Sequence, residues 1–308
     1  MISRRNIRVK VMQTLYTVHS AENSLTQAMA TKILEKQLDQ SRQLFVSLIY
    51  FITEVARYAE KDARQKASKH LPTAEDLKIN TRLAGNTVLW AILENESYKK
   101  ALTEEKPHLL IDEDWIKKIY LQLVETNEYR QYILMPERDK KLEKEILEFI
   151  FTDLMLPNED FIAMIEESFI HWDDDADMIN LLMLNYIAKP KNYNFQDFLS
   201  AEKWQFAKKL LESAMEKDEY CMEFIKPKLQ NWDPERTAIL DMILMKMGIC
   251  EFMYFETIPT KVTINEYIDL AKEYSTAQSG QFVNGILDSI HKDLLAGNKI
   301  HKISHKVK

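Results

Sequence analysis

The sequence predicts an all-α protein. Glycine and proline are scarce, with 5 and 8 among 308 residues, whereas the two together average roughly 12% of a globular chain. Apolar residues recur at helical spacing through most of the sequence. Glycine-rich phosphate loops and β-sandwich turns are therefore disfavoured, and a helical fold with a sizeable core is expected.

The predicted first helix, residues 4–19, begins with positive charge. The first twenty residues contain no acid and four cations, which are Arg4, Arg5, Arg8 and Lys10. Cations at a helix N-terminus oppose the helix dipole, an effect of ~0.3–1 kcal/mol each. A polyanionic partner would account for this arrangement, and an ordinary surface helix is the alternative interpretation.

The middle of the chain has the apolar spacing of packed helices but no recognisable catalytic or ligand-binding motif. Residues 25–70 contain one or two predicted helices, and a break is expected at 70–72 because Pro72 disfavours helical backbone in the residue before it. Further helices alternate with proline-marked breaks up to about residue 200. The aspartates at 173–177 lack the glycine and glutamate of a calcium loop, so they predict a helix cap or a solvated turn.

Several helices are predicted in the last third. A long one covers 203–229, although Pro227 should end or kink it. Asp233 followed by Pro234 predicts another helix start. The run 239–255 is apolar on nearly all sides and should be the central helix. Gly248 within it predicts a close helix–helix approach, since glycine in a helix costs about 1 kcal/mol.

Two amphipathic helices complete the predicted set. Thr263 and Glu266 have capping-box spacing, which predicts a helix start at Thr263. The apolar face of that helix is predicted to comprise Ile264, Tyr267, Ile268, Ala271 and Tyr274. After a break at 275–280, apolar residues from 282 to 294 predict the final helix.

Both ends of the chain are basic on an acidic body. The first twenty residues and residues 291–308 carry +4 each within a net charge of −7, so the residues between them carry −15. Since Lys and Arg on phosphates supply most nucleic-acid affinity, the ends are the candidate nucleic-acid contacts. Residues 296–308 are predicted to form a basic flexible tail, for which improved solubility is the alternative role.

The sequence lacks the motifs of catalysis. There is no nucleotide-binding, metalloprotease or serine-hydrolase motif, so a non-enzymatic protein without catalytic residues, metal or cofactor is expected. Cys221 and Cys250 match neither a disulfide framework nor a zinc site, which indicates a reducing compartment. With no signal peptide and no apolar run of membrane-spanning length, a cytoplasmic protein is expected.

Several sequence blocks resemble one family. The most specific is SGQFVNGILD at 279–288, preceded by INE at 264–266 and IPTKV at 258–262. Together with RRNIR at 4–8, their order and spacing resemble NusB, a family of bacterial transcription antitermination factors. The resemblance covers about 1–25 and 201–295, which leaves residues 41–200 as a predicted helical insertion of unknown role.

The resemblance implies two small helical bundles and an RNA-binding role. Residues 1–40 would form the RNA-binding helix and the start of the first bundle, and 201–295 the NusB-like core. The implied RNA is the single-stranded boxA element of ribosomal RNA operons. The implied partners are NusE, which is a small-subunit ribosomal protein, other Nus factors and RNA polymerase.

The resemblance also implies particular site residues at both ends of the chain. The predicted RNA-binding residues are Arg4, Arg5, Arg8, Lys10, Gln278, Ser279, Gln281 and Phe282. The predicted partner-facing residues are Tyr16 and Asp241. The alternatives are that Phe282 and Tyr16 belong to the core, and that Asp241 is solvated or pairs with Lys246.

Two other functional classes compete with this interpretation. The first is a helical protein–protein scaffold that has a NusB-like body and binds no RNA, which the acidic middle of the chain favours mildly. The second is an RNA cytosine methyltransferase that carries a NusB-like domain. That class needs a cofactor-binding α/β domain, which the scarcity of glycine disfavours.

Overall fold

The computed structural model is built from helices. It describes residues 1–22, 24–68, 80–229 and 238–303, and within these ranges it contains fourteen α-helices and no strand. The all-α prediction is confirmed. The α/β domain that a methyltransferase would need is absent from the described ranges.

The fourteen α-helices of the described residues are numbered in chain order. The α-helices are α1 (Arg4–Ser20), α2 (Gln27–Ala67), α3 (Thr87–Leu93), α4 (Glu96–Glu105), α5 (Glu113–Glu125), α6 (Asn127–Leu134), α7 (Lys140–Phe149), α8 (Glu159–Ser168), α9 (Trp172–Ala188), α10 (Ala201–Glu216), α11 (Asp218–Ile225), α12 (Ile239–Tyr254), α13 (Thr260–Tyr274) and α14 (Ser279–Ala296). A π-helical segment, Ile150–Met155, continues α7. Across the described residues, no helix combines the length and apolar character needed to span a bilayer.

The helices pack as two compact units. The terminal unit comprises Ile2–Leu38 and Leu199–Lys308, and the central unit comprises Asp39–Phe198 with Met1. The central unit covers nearly the same residues as the predicted insertion at 41–200. It carries a net charge of −10, whereas the terminal unit carries +3.

Helix α12 is the core of the terminal unit. It contacts α1, α10, α13 and α14, and it is buried along most of its length. A Cβ at Gly248 would lie 3.0 Å from Leu287 Cδ2 and 3.4 Å from Tyr267 Cδ2. The predicted central helix and the close approach at Gly248 are therefore confirmed.

The two cysteines meet within this core. Cys221 and Cys250 are fully buried free thiols whose sulfur atoms lie 3.7 Å apart. The hydrogen bond with Cys221 and burial raise the pKa of the Cys250 thiol. A raised pKa disfavours the thiolate form of Cys250, and the thiolate is the reactive form of cysteine.

Two predicted helix boundaries in the terminal unit are wrong. Helix α13 begins at Thr260, and Thr263 is not its cap, because its buried hydroxyl donates to Glu251 Oε1 at 2.7 Å. The buried face of α13 includes Leu270 rather than the predicted Ile264 and Ile268. The long helix predicted at 203–229 is interrupted at Lys217, and Pro227 lies in a following 3₁₀ turn.

Two sequence predictions cannot be compared with the structure, and the predicted flexible tail is partly wrong. The break predicted at 70–72 and the helix start at Asp233 lie outside the described residues. The described part of the predicted flexible tail is anchored, because Lys302 Nζ donates to the carbonyl oxygens of Glu251 and Phe255 at 2.9 and 2.7 Å. Residues 299–303 thus hold the C-terminal end of α12, contrary to expectation.

The central unit has its own aromatic core. The ring of Phe45 in α2 lies 5.6 Å from that of Phe195 and 6.1 Å from that of Tyr186, measured between centroids. Helix α9 begins at Trp172, so three of the four clustered aspartates, Asp173, Asp174 and Asp175, occupy its first turn. Acids are favourable there because of the helix dipole, and the Asp175 carboxylate also accepts a hydrogen bond from Ser41 at 2.6 Å.

Candidate nucleic-acid interface

The first turn of α1 presents two arginines to different neighbours. Ser3 caps the helix by accepting a hydrogen bond from the Asn6 amide. Arg4 pairs with Glu202 in the first turn of α10 at 2.6 Å, and Arg5 pairs with Glu273 in the last turn of α13 at 2.7 Å.

In both ion pairs, another anion can replace the glutamate. The Arg4 and Arg5 side chains are 40% and 37% exposed. Exposed ion pairs contribute only about 0–1 kcal/mol. A phosphate can therefore replace either glutamate with little loss of free energy.

The prediction that Arg8 contacts RNA is wrong. Its side chain is only 2% exposed and binds both oxygens of Glu251 at 2.9 Å, and Glu266 at 3.1 Å. Its guanidinium carbon also lies 5.4 Å from the centre of the Phe206 ring. Arg8 is thus enclosed by protein and is not accessible to an RNA phosphate in this structure.

The carboxylate that holds Arg8 is itself fully buried. Glu251 accepts hydrogen bonds from Thr263 at 2.7 Å and from the Tyr267 hydroxyl at 3.1 Å, in addition to the two from Arg8. Burial and the charge of Glu251 raise the pKa of Tyr267 well above its ordinary value, so the hydroxyl stays protonated and donates. The cluster therefore joins α1, α12 and α13.

The prediction that Lys10 binds RNA is also wrong. Its side chain is fully buried in the terminal unit, because α1 is buried on all sides over residues 7–12. Two of the four cations at the start of the chain therefore face the protein interior. Arg4 and Arg5 are the two that reach the surface.

The turn between α13 and α14 carries the second predicted patch. Gln278 and Gln281 are exposed, whereas Phe282 is half-buried, so part of its side chain is accessible. Ser279 is 1% exposed, and its hydroxyl donates to Asp241 Oδ2 at 2.8 Å. Asp241 is 5% exposed. Ser279 and Asp241 therefore form an internal pair, which contradicts a direct RNA or partner contact for either.

Contacts between helices connect the two patches. Arg5 reaches Glu273 at the end of α13, and the chain then turns into α14 through Gln278. The Lys272 side chain lies against Gly280, where a Cβ would come within 2.6 Å of Lys272 Cγ. We name these accessible or partly accessible residues the α1–α14 surface, which comprises Arg4, Arg5, Lys272, Gln278, Gln281 and Phe282.

Two lysines at this end of the unit were missed by the sequence interpretation. Lys272 is 62% exposed. Lys203 Nζ donates to the Ile2 carbonyl at 2.6 Å, and burial together with the charge of Arg4 lowers its pKa. The tertiary structure thus brings Lys203 close to Arg4, whereas Lys272 is the sequence neighbour of Glu273, the partner of Arg5. Neither lysine belongs to a charge run.

The remaining predicted partner residue is accessible. Tyr16 is 44% exposed, so it is not part of the core. A groove of about 610 Å³ adjoins the same stretch of α1 and is lined by Leu15, His19, Met215, Ile243 and Lys246, among others. Lys246 pairs with Asp218 rather than with Asp241.

Potential metal ligands do not cluster in the part of the chain that the structure describes. Across the described residues, no group of His, Cys, Asp and Glu could hold a metal ion. The groups at the two patches are arginine cations with their glutamate partners, side-chain amides and one aromatic ring. Cations and aromatic rings are the groups with which proteins bind RNA phosphates and unpaired bases.

Comparisons with known proteins point to one family. Residues 170–292 match the model of the NusB family. The transcription antitermination protein NusB of Thermodesulfovibrio yellowstonii is 34% identical over 120 residues, which are 35% of this chain and 80% of that protein. The namesake from Methylacidiphilum infernorum is 41% identical over 98 residues, 32% of this chain and 64% of that protein.

Coverage differs among the other matching proteins. The NusB of Chloroherpeton thalassium is 38% identical over 97 residues, 32% of this chain and 46% of that protein. A solved NusB structure from T. maritima aligns with 27% identity and a TM-score of 0.30, covering 40% of this chain and 82% of that one. The chain thus spans about half to two thirds of the length of several curated relatives.

The described residues form an all-helical protein whose terminal unit carries two accessible arginines and a half-buried phenylalanine ring. The sequence relationships then identify the chain as a member of the NusB family.

Proposed function

We propose that this protein is a transcription antitermination factor that binds boxA single-stranded RNA together with NusE, within a complex of other Nus factors and RNA polymerase. Its work is binding rather than catalysis. Family membership supports the general role. The observation that carries the RNA role is the contact of Arg5 with the end of α13, beside the turn that leads to Phe282.

The α1–α14 surface offers what a single-stranded RNA needs. Arg4 and Arg5 neutralise phosphates by exchanging their glutamate partners. The half-buried ring of Phe282 provides a stacking face for an unpaired base, and the amides of Gln278 and Gln281 hydrogen-bond to base edges. The buried Arg8 cluster contributes indirectly, because it fixes α1 against α12 and α13.

Tyr16 and the groove beside it are the proposed NusE-facing side. The groove is lined mainly by α1, α10, α11 and α12, and Tyr16 lies next to Leu15 and one turn before His19. A protein that fills this groove would bury the Tyr16 ring, while its hydroxyl stays at the rim.

A titration of the full chain with labelled boxA RNA tests this function. We expect weak binding by the protein alone and tighter binding when NusE is present, because NusE extends the RNA-binding surface. A scrambled RNA of the same composition is the control. Equal affinity for both RNAs, or no RNA binding even with NusE, would contradict the proposal.

The alternative is a helical scaffold that binds partner proteins but no RNA. The burial of Arg8 and Lys10 and the −10 charge of the central unit favour it, since both reduce the attraction for a polyanion. The same titration separates the two functions. A scaffold would bind NusE and leave the RNA free.

A further inference from the structure

The central unit contains an apolar groove that the RNA-binding role does not use. The groove has a volume of about 620 Å³ and is lined by α6, α7 and the π-helical segment that follows α7. Its walls include Leu134, Met135, Leu142, Ile146 and Phe149. It lies wholly within the central unit.

The rim of this groove exposes apolar side chains. Leu134 and Met135, at the end of α6, are 79% and 40% exposed. A single exposed apolar side chain is ordinary, but adjacent ones that border an apolar groove mark an interaction site. The π-helical segment at the end of the groove strengthens this inference, because π-bulges occur frequently at functional sites.

Acidic residues surround the apolar walls. Glu128, Glu145, Glu148 and Asp153 line the groove. Glu145 and Glu148 pair with Lys141 and Lys144 one turn earlier at 3.6 and 3.2 Å, whereas Glu128 and Asp153 pair with no cation among the described residues.

The charge pattern continues beyond the groove. From residue 145 to residue 188 the sequence contains eleven carboxylates and no Lys or Arg. Most of these carboxylates are exposed or half-exposed. Of these carboxylates, those of Glu145, Glu148 and Asp153 line the groove.

We infer that this groove binds a lysine- and arginine-rich amphipathic helix of a partner protein. Residues 142, 145, 146, 149, 152 and 153 line one side, a spacing that spans about three helical turns or ~16 Å. A partner helix would place its apolar face on Leu134, Met135 and Ile146, and its cations would meet Glu128 and Asp153. The negative rim repels nucleic acid and anionic lipid, so neither is the occupant.

Binding of a designed peptide to the full chain tests the inference. The probe is a fluorescein-labelled helix of leucine and lysine with all leucines on one face, followed by fluorescence anisotropy. We expect L134D together with M135D to weaken binding by at least about tenfold, or about 1.4 kcal/mol. The matched control is L109D, since Leu109 is 72% exposed in the same unit but lies outside the groove.

Two further measurements decide the outcome. A peptide with the same lysines but serines for leucines should bind much more weakly, and equal binding would reduce the site to non-specific charge attraction and overturn the inference. Equal loss of binding in L109D would also overturn it. If sedimentation shows a wild-type dimer that L134D dissociates, the occupant is a second copy of this chain and the inferred partner is wrong.

Discussion

Four cations begin the chain, and the structure gives them different roles. Arg4 and Arg5 remain at the surface in exchangeable ion pairs, whereas Arg8 and Lys10 are buried. Arg8 lies one helical turn after Arg4, and both approach the ring of Phe206. A count of positive charges therefore overestimates the RNA-binding capacity of this helix.

Replacing Arg8 should damage the fold rather than contact with RNA directly. R8A leaves Glu251 buried without its main counter-charge, which we expect to lower the free energy of unfolding by about 3–5 kcal/mol. Urea unfolding followed by circular dichroism measures this loss. R4A is the matched control and should change stability by less than about 1 kcal/mol. Equal, small effects of both substitutions would show that the buried cluster is not needed for stability.

Phe282 is the residue for which RNA binding and packing can be separated. We expect F282A to weaken boxA RNA binding by about 1–3 kcal/mol, because a stacking face is lost, with little change in thermal midpoint. F282Y retains an aromatic face and should retain most of the affinity. A large fall in thermal midpoint with unchanged RNA affinity would assign Phe282 to the core instead.

The sequence contains a signal for the burial of Arg8, although a count of positive charges does not reveal it. Glu251 lies in the most apolar helix of the chain, and a buried carboxylate needs a cation and hydrogen-bond donors. A search for that partner among the arginines would have included Arg8. Lys10 has no comparable signal, because nothing near it in sequence distinguishes it from the exposed Arg5.

At the scale of helices, the approach of α14 to α12 depends on Gly248. A Cβ there would press on Leu287, whereas a Cβ at Gly285 in α14 would meet nothing within 4 Å. We therefore expect G248A to destabilise the protein by about 1–3 kcal/mol through overpacking.

The matched substitution G285A should stabilise the protein by about 0.5–1 kcal/mol, because alanine is the better helix former. Chemical denaturation of both variants measures the difference. Stabilisation by G248A would mean that α12 and α14 are not in tight contact at this position.

Apolar periodicity predicted most of the helices near the two ends but not where they begin and end. Helices α1, α12 and α14 lie close to their predicted ranges, because each has a long apolar face. The start of α13 was misassigned since Thr263 has the spacing of a cap, but its hydroxyl is used by Glu251 in another helix. The interruption at Lys217 has no proline or glycine to mark it.

At the scale of the whole molecule, charge is divided between the two units. The terminal unit carries +3 and the central unit −10, so RNA should be confined to the terminal unit. We expect 4-thiouridine-substituted boxA RNA to crosslink to peptides within 2–38 and 199–303, as identified by mass spectrometry. Crosslinks that concentrate in 39–198 would contradict this division of roles.

The central claim is that Arg4 and Arg5 bind phosphates of a single-stranded RNA. Its most direct test is the salt dependence of boxA RNA affinity for the wild type, for R4A with R5A, and for the control K208A with K292A, whose lysines form similar exposed ion pairs. The loss of two phosphate contacts should reduce the slope of log affinity against log salt by about 1.4, at ~0.7 per phosphate, and weaken binding. An unchanged slope and affinity in R4A with R5A, or an equal change in the control, would contradict the claim.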